Sequence, residues 1–266
     1  MSELKLRVIT ALFLLTGAVT WLFYLPLFWF DVVLGGVAIA ATTELLRMVD
    51  MPHRMRYSMV AVLMWVALVG THGNWMVLPL AWILLLLGWF VLLAWTVQQS
   101  DLKQLFQQML YAQWMMLWLT LFVVVLMQLH QREYGVAFIA GVCVGVWLSD
   151  IAAYFTGKAY GKNKLCPAIS PGKTWEGLAG GLLLGMLGAS LVWVLWAEVP
   201  LLIALPLSLV LVVSGVLGDL VESALKRVVG VKDSGTMLPG HGGLLDRIDA
   251  LLPALPVAGL LWMIIN

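Results

Sequence analysis

Apolar residues in this chain do not alternate with polar ones; they come in long runs. Mostly apolar blocks of about 20 residues recur from end to end, and each is long enough to cross a bilayer as a helix. The pattern predicts about nine such helices, at roughly 7–25, 27–48, 55–72, 75–97, 111–129, 134–156, 174–196, 200–222 and 248–265. Pro26 separates the first two, because proline breaks the helical hydrogen-bond ladder. Lys5 and Arg7 ahead of the first block give it the outline of a signal peptide. It is kept as a span because it is long enough, and no convincing small-x-small cleavage site precedes the second block.

Composition agrees with this reading. Of the 266 residues 62% are hydrophobic and 11% are charged, with mean hydropathy +0.99. A soluble domain would carry about 25% charged residues. The net charge of +1 says little, but its distribution says a great deal. Lys5, Arg7, Arg47, Arg54, Arg56, Lys103, Lys158, Lys162, Lys164, Lys173, Lys226, Arg227, Lys232 and Arg247 fall on one set of alternate ends and loops. Arg132 is the one Lys or Arg on the other set. Cationic loops stay in the cytoplasm. The expected fold is therefore an all-α polytopic integral membrane protein with a cytoplasmic N-terminus and an outside C-terminus. Merging two spans mid-chain would destroy the segregation.

Residues 1–130 hold five spans with short connections and no evident chemistry. Trp29, Trp65, Trp75, Trp82, Trp89 and Trp95 read as lipid-facing or interfacial anchors. Asp31 and Glu44 stand out there as membrane carboxylates, read equally as functional groups or as helix-end residues. Residues 131–266 hold four spans and two polar cytoplasmic loops, 157–173 and 223–247. Neither loop has an obvious helix or strand pattern, and loops that long are usually functional or disordered. Their mixed glycine, proline, lysine and aspartate argue against low-complexity disorder. Cys143 lies in a span and Cys166 in a cytoplasmic loop, so no disulfide is expected. There is no zinc-type spacing.

The chemistry concentrates in Ser223–Asp249, which carries Lys226, Arg227, Lys232, Asp233, His241, Asp246, Arg247 and Asp249. Just upstream, Asp219, Glu222, Ser223 and Lys226 are spaced to share one helix face. An interhelical salt bridge explains one acid and one base of that face, and leaves the rest for function. Asp246 and Asp249 lie i and i+3 at the start of the last span. Helix capping explains one of them. The pair also suits Mg²⁺, a hard cation that binds one or two carboxylates plus substrate phosphates. Between these walls, Gly242 and Gly243 permit close approach of backbone N–H groups to an anion, with His241 as a supporting donor. Lys226, Arg227, Lys232 and Arg247 supply positive charge for phosphate.

A second polar segment contains Ser149-Asp150 and then Ser170-Pro171-Gly172-Lys173-Thr174-Trp175-Glu176-Gly177. Gly172-Lys173-Thr174 matches the end of a nucleotide-binding P-loop, but Pro167 stands where that motif needs glycine. No strand is expected before it. Lys173 and the N–H groups of the next helix can hold an anion without that fold. Asp150 and Ser170 are placed to face the same site. Gly177, Gly181 and Gly185 recur at four-residue spacing, which lets helices pack closely.

Ser223–Asp249 resembles the bacterial phosphatidate cytidylyltransferases, or CDP-diacylglycerol synthases. Their pattern S-x-apolar-K-R-x4-K-D-x-small-x2-apolar-P/G-x-H-G-G-apolar-x-D-R-apolar-D is met at every specified position. Ser149–Tyr154 and Ser170–Gly177 are similar to two further family elements, so the resemblance covers about residues 145–250. It implies transfer of the cytidylyl group of CTP to phosphatidic acid, with release of pyrophosphate, in phospholipid biosynthesis at the bacterial inner membrane. It also implies Mg²⁺ with a nearby K⁺, a homodimer, and no nucleic-acid partner. By resemblance Asp219, Asp246 and Asp249 belong to the metal-bearing constellation; from the residues themselves Glu222 is a further candidate ligand, and Lys226 and Lys232 are the expected catalytic cations. Asp150, Ser170, Lys173, Ser223, Arg227, His241, Gly242, Gly243 and Arg247 are the expected phosphate-binding set.

Three rivals share some of these features. A CTP-dependent polyprenol kinase would release CDP. A CDP-alcohol phosphotransferase would carry D-G-x2-A-R, which does not occur. An ion-coupled transporter would explain membrane carboxylates but predicts no pyrophosphate.

Overall fold

The computed structural model describes residues 3–97, 101–238 and 242–265. Every block of apolar residues has become a helix: α1 (Glu3–Tyr24), α2 (Leu27–Met48), α3 (Arg54–Gly70), α4 (Leu78–Thr96), α5 (Leu102–His130), α6 (Gly135–Tyr160), α7 (Trp175–Trp196) and α8 (Leu201–Val228). The last block divides into a single turn, α9 (Leu245–Ile248), and α10 (Leu251–Ile265). Pro26 caps the start of α2, as expected of a residue without a free N–H. Six of these helices, α2 and α4 to α8, are long and apolar enough to cross a membrane. The crossing of α1, α3 and α10 rests on the sequence pattern alone.

Three expectations are corrected. The fold is helical as expected, but the first polar loop, read as having no strand pattern, contains an antiparallel hairpin of β1 (Lys164–Cys166) and β2 (Ser170–Thr174). A strand therefore does precede Trp175, although Pro167 still rules out a P-loop. The polar loops are also shorter than the composition implied, because α6 continues to Tyr160 and α8 to Val228. Finally, Trp65 and Trp89 are core residues. Trp65 donates from Nε1 to Thr42 Oγ1 at 3.0 Å, and Trp89 to the Tyr57 carbonyl at 3.2 Å. An indole N–H satisfied inside the fold removes the reason to seek the interface. Trp29, Trp75 and Trp95 are exposed, as an anchoring role requires.

The chain forms two compact units, residues 1–128 with 229–247, and residues 129–228 with 248–266. In the first, α2 supplies the packed centre through Phe30, Leu34, Ala38 and Leu45. The polar segment 229–247 belongs to this unit, with the N-terminal helices. Asp31, fully buried, meets His72 Nδ1 at 2.5 Å.

In the second unit the glycine stripe of α7 lies against α6. A Cβ at Gly181 would sit 2.9 Å from the Ser149 carbonyl, and one at Gly185 would sit 2.7 Å from the Gly145 carbonyl. Backbone cannot move aside as a flexible side chain can, so these positions need glycine for space rather than for φ. Trp193 closes the far end, stacking on Phe138 at 4.3 Å between ring centroids and donating to its carbonyl. Gly185→Val is expected to lower stability by about 1–3 kcal/mol through overpacking. Thermal unfolding of the purified variant checks this; an unchanged midpoint would contradict close α6–α7 packing.

Candidate active site

The hairpin is held where its sequence meets α7. Thr174 caps that helix, its Oγ1 accepting from the Gly177 N–H at 3.1 Å. Glu176 lies in the first turn, where a carboxylate is favoured by the helix dipole. It accepts from the Asn163 backbone N–H and, at 2.9 Å, from its side-chain amide. The Trp175 N–H returns to the Asn163 carbonyl. The residues of Thr174-Trp175-Glu176-Gly177 thus act locally, closing the hairpin and aiming Ser170–Lys173. Arg227 Nε, from the end of α8, donates to the Ile169 carbonyl at the hairpin turn.

Beside the hairpin is a cavity of about 370 Å³ lined by Ser149, Asp150, Lys158, Ser170, Lys173 and Thr174, among others. Lys173 Nζ is in direct contact with Asp219 Oδ2, and Ser223 donates to Asp219 Oδ1 at 3.2 Å. Ser149 is buried, and its hydroxyl has no hydrogen-bond partner among the described residues. A buried polar group in that state at a cavity wall is available to a ligand.

Gly218 brings the last segment of the site into place. A Cβ there would lie 2.7 Å from the Asp249 carbonyl and 2.3 Å from the Pro253 ring. The next residue on α8 is Asp219. Asp249 and Asp219 repel one another electrostatically, and both act on Asp150 or are acted on by it. Lys173 attracts Asp150, and Lys226 attracts Asp249. Lys226 also pairs with Glu222 at 3.3 Å, and both are buried. The predicted polar face of α8 therefore resolves into two pairs, Asp219 with Ser223 and Glu222 with Lys226. Asp150, Ser170, Lys173, Asp219, Glu222, Ser223, Lys226, Arg227 and Asp249 all fall in this unit.

Lys232, Gly242, Gly243, Asp246 and Arg247 fall in the other unit; His241 lies outside the described residues. Lys232 and Arg247 are exposed. Asp246 Oδ2 accepts from the backbone N–H groups of Ser234 at 2.9 Å and Gly243 at 3.0 Å. Gly242 has φ +83°, and its carbonyl accepts from the Leu238 N–H. A Cβ at Gly243 would lie 2.0 Å from Ser234 Oγ and 2.2 Å from Glu44 Oε1. The anion that Gly243 approaches in the structure is the protein's own Glu44 carboxylate, while Gly242 lies nearest Asp246 Oδ2. Glu44 is thus the principal residue whose role the sequence did not disclose. Its burial in an apolar span was the available signal; its partners lie about 200 positions away.

Among the described residues no group of three or more His, Cys, Asp or Glu side chains is gathered to hold a metal ion by itself. A hard cation that keeps its waters needs only one or two carboxylates plus substrate phosphate oxygens. Asp219 and Asp249, oxygen donors with no thiolate beside them, meet that demand.

A family profile described as the Cytidylyltransferase family matches residues 5–265. The chain is 38% identical to the phosphatidate cytidylyltransferase of Pseudomonas aeruginosa over 272 aligned positions, which cover 97% of each chain. It is 51% identical over 126 residues to the Bacillus subtilis protein of that name, covering 47% of this chain and 46% of the relative. For the Haemophilus influenzae protein of the same name the figures are 44% over 132 residues, 48% and 46%. The profile match spans nearly the whole length, including the five N-terminal helices that carry no motif. The chain therefore belongs to the cytidylyltransferase family of nucleotidyltransferase enzymes.

Proposed function

We propose that this protein transfers the cytidylyl group of CTP to phosphatidate, giving CDP-diacylglycerol and pyrophosphate, at the cytoplasmic face of a bacterial inner membrane. The observation that carries the site assignment is the contact of Lys173 with Asp219 beside the cavity that Asp150 and Lys173 line, with the Asp249 backbone packed against Gly218. Full-length similarity to a phosphatidate cytidylyltransferase supports the choice of substrates.

Phosphatidate is already an anion near neutral pH, so its phosphate oxygen needs little help from a general base. That oxygen attacks the α-phosphorus of CTP. The bond from the α-phosphorus to the bridging oxygen breaks, and pyrophosphate leaves with the electron pair. The barrier lies in bringing polyanions together and in the charge on the leaving group. Lys158 and Lys173 line the cavity and neutralise phosphate there, while Ser149 and Ser170 offer hydroxyl donors. Lys226, paired with Glu222, balances the carboxylates rather than acting as a mobile phosphate clamp.

Three carboxylates beside an anion-binding cavity would repel both substrates if nothing intervened. Asp219 and Asp249 would hold Mg²⁺, with Asp150 nearby. When bound, the ion supplies charge neutralisation on the triphosphate oxygens. The tails of phosphatidate remain in lipid, and the exposed apolar side chains Ile151, Tyr154 and Phe155 on α6 suit that path.

The direct test incubates purified protein with phosphatidic acid, Mg²⁺ and each of the four NTPs. Pyrophosphate release with CTP, and CDP-diacylglycerol as the lipid product, are expected. CDP release would instead indicate a kinase. Sidedness has its own test, because Cys166 already stands in the hairpin. In a Cys143→Ser background an impermeant maleimide should modify Cys166 in inside-out vesicles and not in intact cells. The reverse pattern would overturn the topology.

A further inference from the structure

We propose that Glu44, on α2, is a positioning residue for the loop 229–247, and that turnover depends on it; the proposal deepens the reading above and rests on it. Glu44 is 3% exposed among apolar side chains of its helix. A carboxylate in such a setting persists only where donors converge on it. Its described donors all come from the loop. Ser234 Oγ donates to Oε1, the Leu245 N–H donates to Oε1 at 2.9 Å, and the Leu244 N–H donates to Oε2 at 2.9 Å.

The loop is shaped to receive this group. A Cβ at Gly235 would lie 2.8 Å from Glu44 Oε2, and one at Gly243 would lie 2.2 Å from Oε1. Residues from both limbs of the loop thus close around one carboxylate. Ser234 links Glu44 to the second bracing acid: its N–H donates to Asp246 Oδ2, and its Oγ accepts from the Asp246 N–H. Glu44, Ser234 and Asp246 form one network that ties the start of the loop to its end. Asp246 and Asp249 follow the Glu44-bound Leu245 in the chain by one and four residues. A shift of Leu245 would therefore be passed directly to the segment bearing Asp249. The five N-terminal helices acquire a role, since one of them carries the staple for the loop.

The geometry predicts what each substitution does. In Glu44→Gln one oxygen becomes an amide N–H₂ facing a backbone N–H, so a donor meets a donor. Ser234→Ala removes one of the three donors and leaves the carboxylate charged. The test uses both single variants and the double variant of the full chain in detergent with phosphatidate. Glu44→Gln should lower kcat about 10-fold, Ser234→Ala about 3-fold, and the double variant no more than Glu44→Gln alone, since residues of one network are not additive. Hydrogen exchange should quicken at residues 242–245 and stay unchanged in α6 and α7.

A purely structural role predicts less folded protein, faster exchange throughout α2–α5, and unchanged kcat in the fraction that folds. That result overturns the proposal, as does wild-type kcat with wild-type loop exchange, or losses that multiply in the double variant. If Glu44→Gln fails to fold, Ser234→Ala decides by the same readings. If the wild-type protein releases no pyrophosphate from CTP, the substrate reading fails, and loop exchange alone still decides the positioning role.

Discussion

Asp249→Asn is expected to lower CTP-dependent pyrophosphate release at least about 100-fold, or roughly 2.7 kcal/mol of transition-state stabilisation. The protein should remain folded, with an unfolding midpoint equal to or above that of the wild type. The two halves of this expectation have one cause. Asp249 is repelled by Asp219 and Asp150. A neutral isostere relieves that repulsion, which offsets the lost attraction to Lys226. The charge that would hold a cation against substrate phosphate is lost with it. Groups kept together at a cost to the fold are what a functional cluster requires, and trading activity for stability is the signature of removing one. Near-normal turnover would remove Asp249 from the site.

Lys173→Met is expected to be as damaging, again about 100-fold in kcat/KM, with the opposite effect on stability. Lys173 holds Asp219 directly and attracts Asp150. Without it the carboxylates face one another with less compensation, and stability should fall by about 1–3 kcal/mol. Lys173→Arg keeps the charge but replaces a compact ammonium by a planar fork, so partial activity is expected. Steady-state kinetics and thermal unfolding on Asp249→Asn and Lys173→Met together test the site. If both variants shift the midpoint in the same direction, Asp249 and Lys173 do not oppose one another in the charge balance of the site.

The helices were legible because apolar runs of membrane length have few other solutions. Eight of the nine runs are each one helix in the structure, and the ninth is divided between α9 and α10. The glycine stripe was legible for a related reason: four-residue spacing puts Gly177, Gly181 and Gly185 on one face whatever the partner. The face Asp219, Glu222, Ser223, Lys226 was also read from spacing, but not its division into two pairs. Spacing along one helix also cannot show the contact of Asp219 with Lys173, which comes from another element. Trp65 and Trp89 were misread because hydropathy reports that a residue avoids water, not whether lipid or protein covers it. The hairpin Lys164–Thr174 escaped notice because its strands are short and rich in lysine, glycine and proline.

By itself, then, the sequence determined a chain of apolar helices, a sided distribution of cations and a set of polar residues suited to phosphate and a hard cation. These are properties of composition and periodicity, which act locally. Only the tertiary structure decided which charges meet. It placed Asp249 beside Asp219 through the gap at Gly218, and it brought Glu44 to Ser234, Leu244 and Leu245. Contacts between residues up to about 200 positions apart leave no spacing rule in the chain, because they arise from packing rather than from the pitch of any one helix. The glycines of the loop show the difference plainly. The sequence read Gly242 and Gly243 as a cradle for an anion; in the structure Gly243 lies against Glu44, and so does Gly235, which the sequence did not single out.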